Sequence, residues 1–195
     1  MNKFVVVPFF LALAMPHTSI AAADSTGFFV GVGYGLTESQ MKYENLPKVD
    51  LERAYKLMGG YKFNRIVSVE ASYTNYGKRV VGYFEDKPTS IGVTANVGYT
   101  FDNGLRPFGI IGVGRLDSGA TYRGEDLHID NAKPSFKYGL GVSYEIPTLD
   151  GLEVRAAYEA EIAEFETPVL VGIYNTKVVH KATYDSLYMS VSYTF

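Results

Sequence analysis

The chain has 195 residues, which suits a single domain, and it is rich in glycine (20), tyrosine (16) and phenylalanine (12). It has no cysteine, which excludes a disulfide scaffold and a thiolate metal site. The 18 basic and 21 acidic residues give a formal net charge of −3, which argues against a nucleic-acid-binding surface.

The first 23 residues have the layout of a secretory signal peptide. Lys3 supplies the positive charge, residues 4–15 form a short apolar run, and Ala21 and Ala23 are the small residues of a cleavage site. The alternative is a membrane anchor, but a spanning helix needs about 20 apolar residues. We therefore expect cleavage after Ala23, with residues 24–195 as one domain, and no later apolar run is long enough to predict a transmembrane helix.

From Gly27 onward, large apolar residues alternate with small or polar residues in eight stretches. The stretches cover residues 28–36, 55–63, 67–74, 91–101, 107–117, 135–146, 153–162 and 186–195. The fifth stretch is less regular. Gly112 and Gly114 indicate its inward face, which leaves Ile110 inside and Arg115 outside unless a β-bulge restores the pattern.

The residues on the polar face indicate which side is enclosed. Glycine, alanine, serine and threonine dominate this face, and they suit the interior of an eight-stranded barrel, which is only just wide enough for side chains. Aromatic residues recur near the strand ends of the apolar face, as in the girdles of a transmembrane barrel: Phe28, Tyr34, Phe63, Tyr73, Tyr99, Phe101, Tyr144, Tyr193 and Phe195. A soluble β-sandwich is the alternative, in which large apolar residues point inward. We favour an all-β fold, an eight-stranded antiparallel up-and-down transmembrane β-barrel.

The connections between the stretches alternate in length. Short turns occupy residues 64–65, 102–105 and 147–151, and long polar connections occupy residues 40–53, 77–88, 118–133 and 165–184. Transmembrane barrels have short periplasmic turns and longer external loops. We therefore expect four extracellular loops and both chain ends in the periplasm, with a hairpin extension around residues 175–177 in the last loop.

Three sequence motifs resemble the OmpA-like transmembrane domain. G-G-Y-K-F-N at residues 59–64, followed by V-E-A-S-Y at 69–73, resembles its second strand, turn and third strand, and R-P-F-G at 106–109 with G-V-G at 112–114 resembles its fifth strand. The terminal Tyr193-Thr194-Phe195 resembles the aromatic signal read by the barrel-assembly machinery. Size and layout are closer to OmpX-like and opacity-protein-like single barrels. Because the sequence ends at Phe195, we do not expect the peptidoglycan-binding domain of full-length OmpA.

The inward face carries charged residues that must be paired if they are buried, because an isolated buried charge costs several kcal/mol. The residues predicted to form this network are Lys56, Glu70, Lys137, Arg155, Glu159 and Glu161, with Lys62 and Glu145 also inward. The turn at residues 147–151 sets Lys137 near Glu161 and Glu159, and Glu70 is placed within reach of Arg155. A salt-bridged plug is the favoured interpretation, and the resemblance to OmpA allows a gate as the alternative.

A lipid-modifying enzyme, like the acyl hydrolase PagL or the palmitoyl transferase PagP, would need a positioned nucleophile or base. His128 and His180 are the histidines that follow residue 23, and neither lies in a His-x-Ser motif. We expect no catalytic, cofactor-binding or metal site. The expected function is a scaffold that displays four loops for adhesion or envelope integrity, with a narrow gated channel as the alternative and a lipid A-modifying enzyme as a third hypothesis.

The expected partners are outer-membrane lipids and lipopolysaccharide, the barrel-assembly machinery during insertion, and a host-surface or envelope partner bound by the loops. We expect a monomer. Basic loop residues that could meet anionic head groups are Lys42, Lys48, Arg53, Lys78, Arg79 and Arg123. A solvated surface is the commoner role of such charges.

Overall fold

The computed structural model describes residues 26–41, 52–81, 84–119, 121–122, 125–126, 132–171 and 174–195. The predicted signal peptide, Lys42, Lys48, Arg123 and His128 lie outside these ranges. Within them, the chain forms β1 (Gly27–Met41), β2 (Glu52–Lys62), β3 (Val67–Asn75), β4 (Arg79–Val81), β5 (Phe84–Asp86), β6 (Thr89–Gly98), β7 (Leu105–Asp117), β8 (Thr121–Tyr122), β9 (Glu125–Asp126), β10 (Ala132–Glu145), β11 (Leu152–Val171) and β12 (Tyr174–Thr194).

Eight of these strands close into an antiparallel barrel in the order β1-β12-β11-β10-β7-β6-β3-β2. The first strand, β1, pairs with both β2 and β12, so the barrel has no unpaired edge to act as a template for aggregation. The predicted eight-stranded antiparallel up-and-down barrel is confirmed. No helix in the described part of the chain is long and apolar enough to span a membrane.

The alternation in the sequence separates the outer face of the barrel from its lumen. Large apolar side chains such as Leu140 and Met189 point outward and are 66% and 71% exposed. The irregular fifth stretch becomes β7, in which Ile110 is buried and Arg115 is exposed, as its glycines predicted. Its pairing with β6 and β10 is continuous, so no bulge shifts the register.

Aromatic side chains form two bands on the outer face. At the end that carries the short turns, Tyr193 packs edge-on against Phe195 and Tyr99 against Phe101, each with 5.2 Å between ring centroids. At the other end, the rings of Tyr34 and Tyr55 are 5.4 Å apart. The bands leave an aliphatic belt between them, which is the surface of a barrel surrounded by lipid.

The three short turns use local side-chain and glycine chemistry. The Asn64 side chain accepts hydrogen bonds from the backbone N–H groups of Ile66 and Val67 at 2.8 and 2.9 Å. Gly104 and Gly151 have positive φ values of 82° and 79°, which favour glycine because it has no Cβ. These turns hold the strand registers that place the lumen residues.

Two of the long connections differ from simple loops. Strands β4 and β5 follow β3, β8 and β9 follow β7, and together they form a second four-stranded sheet in which β5 pairs with β8. Sequence patterning did not predict this sheet, because strands of two or three residues are too short to show a period.

The prediction of a loop over residues 165–184 is wrong, because residues 165–171 and 174–184 belong to β11 and β12. Strands β11 and β12 stay paired from Leu152 with Tyr193 to Val171 with Tyr174. The hairpin extension is therefore longer than expected. The pairing extends to Val171 and Tyr174, ahead of the predicted turn at residues 175–177, and residues 172–173 lie outside the described residues.

Two apolar clusters occupy the lumen rather than a separate core. The central cluster is Phe29, Met58, Phe108, Ile110, Ala157 and Tyr188. The second cluster, nearer the long connections, is Tyr76, Leu116, Ala163, Ala182 and Tyr184. Small residues make room for these rings. A Cβ on Gly141, for example, would lie 2.6 Å from Cζ of Phe108. The lumen is filled by side chains at these levels, and the charged residues lie among them.

Candidate functional site: the charged lumen

Charged side chains line the lumen because they occupy alternate positions of strands whose other face is apolar. All six predicted network residues are buried there: Lys56, Glu70, Lys137, Arg155, Glu159 and Glu161. Lys62 and Glu145, also predicted to point inward, lie beside them, and the structure adds Arg106 and Glu153. We call these ten residues the lumen charge network.

The middle of the network joins opposite walls of the barrel. Lys56 on β2 lies with its Nζ 2.9 Å from Glu70 and 2.6 Å from Glu159. Arg155 on β11 contacts Glu70 at 2.7 Å and Glu153 at 3.3 Å. The pair of Glu70 and Arg155 that we expected within reach is thus formed, and both carboxylate oxygens of Glu70 lie beside a cation.

Aromatic residues of the central cluster support these ions. The Tyr188 hydroxyl donates a hydrogen bond of 2.7 Å to Glu159. The Lys56 ammonium lies 4.7 Å from the centroid of the Tyr188 ring, and the Arg155 guanidinium lies 5.0 Å from that of Phe108. These distances fall within the range of cation–π attraction. The central cluster and the ion pairs therefore form one packed unit.

Glu161 organises the network nearest the long connections. Its carboxylate lies 3.1 Å from Lys137 Nζ and accepts hydrogen bonds from the hydroxyls of Tyr76, Ser90 and Ser135 at 2.5–2.7 Å. The expected neighbours Lys137 and Glu161 do meet. Glu159, also expected near Lys137, instead pairs with Lys56 and Tyr188.

Lys62 organises the network near the short turns, where its Nζ lies 3.1 Å from Glu145 and 2.8 Å from Glu153. Nearby, Arg106 donates hydrogen bonds to Oδ1 of Asn96 at 2.8 Å and to the carbonyl of Ile66 at 3.1 Å. Arg106 and Glu153 were not predicted as network members. The inward face of the seventh stretch already contained Glu153, so the alternation was the signal that could have found it.

The network is balanced in charge. In the described barrel it contains five cations and five carboxylates, with Glu145 the least buried of them. Along β11 alone, Glu153, Arg155, Glu159 and Glu161 follow one another from the short-turn end toward the long connections. Buried charges are tolerated when they are paired and hydrogen-bonded in this way.

The other predicted site residues lie outside the lumen. Tyr193 and Phe195 are on the outer face at the end of the barrel, and Phe195 is 74% exposed. This position makes their rings accessible, and their role as an assembly signal stays a prediction. Within the described ranges, no group of three or more His, Asp or Glu side chains is placed to hold a metal ion.

Comparison with known proteins gives the family. Residues 6–195 match the family described as outer membrane protein β-barrel domain. Neisserial surface protein A has a similar structure, with a TM-score of 0.69 and 16% identity over 87% of this chain and 97% of that one. Ail, the attachment invasion locus protein of Yersinia pestis, in complex with the heparin analogue sucrose octasulfate, gives a TM-score of 0.52 and 17% identity over 86% of this chain and 99% of that one. Identities this low show the fold alone. No curated protein matches the sequence.

Proposed function

This chain belongs to the family of outer membrane protein β-barrel domains, and from that membership we propose that it is a scaffold whose external connections mediate adhesion or support envelope integrity. The family places it in the bacterial outer membrane. A cleaved signal peptide over residues 1–23 delivers it there, and the short turns face the periplasm.

The filled lumen is the observation that carries this proposal. Ion pairs join opposite walls, and the two apolar clusters lie among them. A lumen packed in this way leaves little room for a solute, so we assign the function to the outside of the barrel. We therefore favour the scaffold function over that of a narrow gated channel.

The external side has structure of its own that suits surface contact. The second sheet ties the connection after β3 to the connection after β7. Strands β11 and β12 remain paired for eight residue pairs beyond Ala163 and Ala182. Function in rigid scaffolds is commonly carried by connecting segments. We propose a host-surface or envelope partner for these elements, and we expect the barrel itself to act as a monomer.

A deletion strain complemented with defined variants tests this function. One variant replaces residues 166–179 with a two-residue turn, and a matched control alters residues 148–150 at the opposite end of the barrel. We expect the trimmed variant to fold, as seen by a heat-dependent gel shift, but to lose adhesion to host cells or resistance to detergent. Full activity of the folded trimmed variant, together with loss in the control, would contradict the assignment to the external side.

A further inference from the structure

A basic cleft opens on the barrel at the ends of β2 and β3 that lie away from the short turns. Its volume is about 570 Å³, and Arg53, Lys78 and Lys87 line it together with Tyr55. The three basic side chains are exposed to the surroundings. The cleft lies apart from the lumen charge network, because Arg53 and Tyr55 point outward from β2.

The backbone around the cleft is held in place by specific contacts. The Asn75 side chain accepts a hydrogen bond of 2.9 Å from the N–H of Gly77, whose φ of 88° turns the chain toward β2. A Cβ at Gly77 would lie 2.8 Å from the carbonyl oxygen of Arg53, so the connection packs closely on that strand. The two ends of this connection are held together, because the N–H of Tyr76 donates a hydrogen bond of 2.9 Å to the carbonyl of Pro88. Lys78 and Lys87 therefore reach the same opening.

The surface below the cleft is apolar. Leu57 and Tyr73 are paired across β2 and β3, point outward and are 58% and 43% exposed. The cleft thus places cations directly above the lipid-facing belt. On β11 and β12, the outer face at a similar height carries Glu164 and Asp185. Arg115 on β7 and Lys181 on β12 are also exposed but lie outside the cleft, so the distinguishing feature of the cleft is that three basic residues line one opening.

We propose that this cleft binds a phosphorylated glycolipid of the outer leaflet, with lipid A phosphate at Arg53, Lys78 and Lys87 and acyl chains over Leu57 and Tyr73. A guanidinium can hold phosphate with two parallel hydrogen bonds, and lysines add point charge. The Glu52 carboxylate, which also lines the cleft, suits a sugar hydroxyl rather than a phosphate. The proposal rests on the membrane orientation given under the proposed function.

Native mass spectrometry on the folded protein in phosphatidylcholine nanodiscs tests the site. The probes are lipid A with two phosphates, lipid A with one, phosphatidylglycerol, and inorganic phosphate as a competitor. We expect preferential retention of the two-phosphate lipid A. Arg53→Gln and Lys87→Gln should each weaken retention about fivefold, which is the order of the contribution of one basic residue beside an anionic membrane surface.

Lys181→Gln is the matched control, because Lys181 is an exposed lysine on β12, away from the cleft. Equal losses in the control and the cleft variants would overturn the proposal, and so would equal retention of phosphatidylglycerol. Effective competition by millimolar inorganic phosphate would overturn the assignment to a lipid. Two results together would support this site while contradicting the proposed function. They are lipid A retention that depends on the cleft residues, and a deletion strain with intact adhesion and envelope integrity.

Discussion

Arg155 and Glu70 join diametrically opposite walls of the barrel, with 2.7 Å between Nη1 of the arginine and Oε2 of the glutamate. Arg155 lies on β11 and Glu70 on β3, and three strands separate β11 from β3 in either direction around the barrel. The contact links residues 85 positions apart in the chain. It therefore stabilises the closed cross-section rather than one hairpin.

Removal of Arg155 should destabilise the barrel strongly. Arg155→Met leaves Glu70 and Glu153 buried with one cation fewer, and loss of one partner of a buried pair costs about 3–5 kcal/mol. The measurement is the free energy of unfolding in urea, with the protein folded in lipid vesicles. Arg65→Met is the control, because the 3.1 Å contact of Arg65 with Asp102 is exposed and should contribute less than about 1 kcal/mol.

The double variant separates charge pairing from packing. Glu70→Gln combined with Arg155→Met removes both charges, so it should lose less stability than the sum of the single variants. Additive losses would show that the two residues do not interact across the lumen.

Lumen glycines should tolerate a methyl group less well than outward glycines. Gly141→Ala would bring a Cβ to 2.6 Å from Cζ of Phe108 and 2.7 Å from Cβ of Ala157, and overpacking of this kind costs about 1–3 kcal/mol. Gly109→Ala, on the outer face of the neighbouring strand, meets only one atom at 3.8 Å. The urea midpoint should fall for Gly141→Ala and stay near the wild-type value for Gly109→Ala. The reverse order would indicate that the lumen is loosely packed.

Local pattern in the sequence predicted the walls of the barrel and part of the network. Alternation placed Ile110 and Arg115 on the faces that the structure shows, and the turn at residues 147–151 brought Lys137 to Glu161 because adjacent strands pair in a register set by their turn. Contacts across the lumen were harder to predict. The pairing of Lys56 with Glu159 depends on how the closed barrel superposes distant strands, which no local pattern encodes.

An uncharged polar side chain of the lumen was also missed. Tyr76 lies one residue beyond the end of β3 and outside the predicted stretch, but it occupies the next inward position after Ser72 and Thr74, and its hydroxyl contacts Glu161. The length of the pairing between β11 and β12 was underestimated for a different reason. Polar residues such as Glu164, Glu166 and Lys177 suggested a loop, although a hairpin that projects beyond the lipid can be polar on both faces.

A charge on the outer belt should be costly only if lipid surrounds it. Leu140 lies on the outer face between Tyr138 and Tyr144, and arginine near the bilayer midplane costs about 2–4 kcal/mol. Leu140→Arg should therefore lower the unfolding free energy in vesicles. Leu149→Arg, in an exposed short turn, should change it by less than about 1 kcal/mol. Equal, small effects would contradict the lipid-facing assignment of the belt.

Loss of one network residue should not open a conducting path. Lys137 contacts Glu161 near the long connections, but deeper in the lumen Lys56, Glu70 and Arg155 remain paired beside the ring of Phe108. An ion would have to break these contacts and pass the central cluster. We therefore expect no steady current through the wild-type protein in planar bilayers, and none after Lys137→Ala. Steady current in the wild type would contradict the plug, whereas current in Lys137→Ala alone would identify the Lys137–Glu161 pair as a gate.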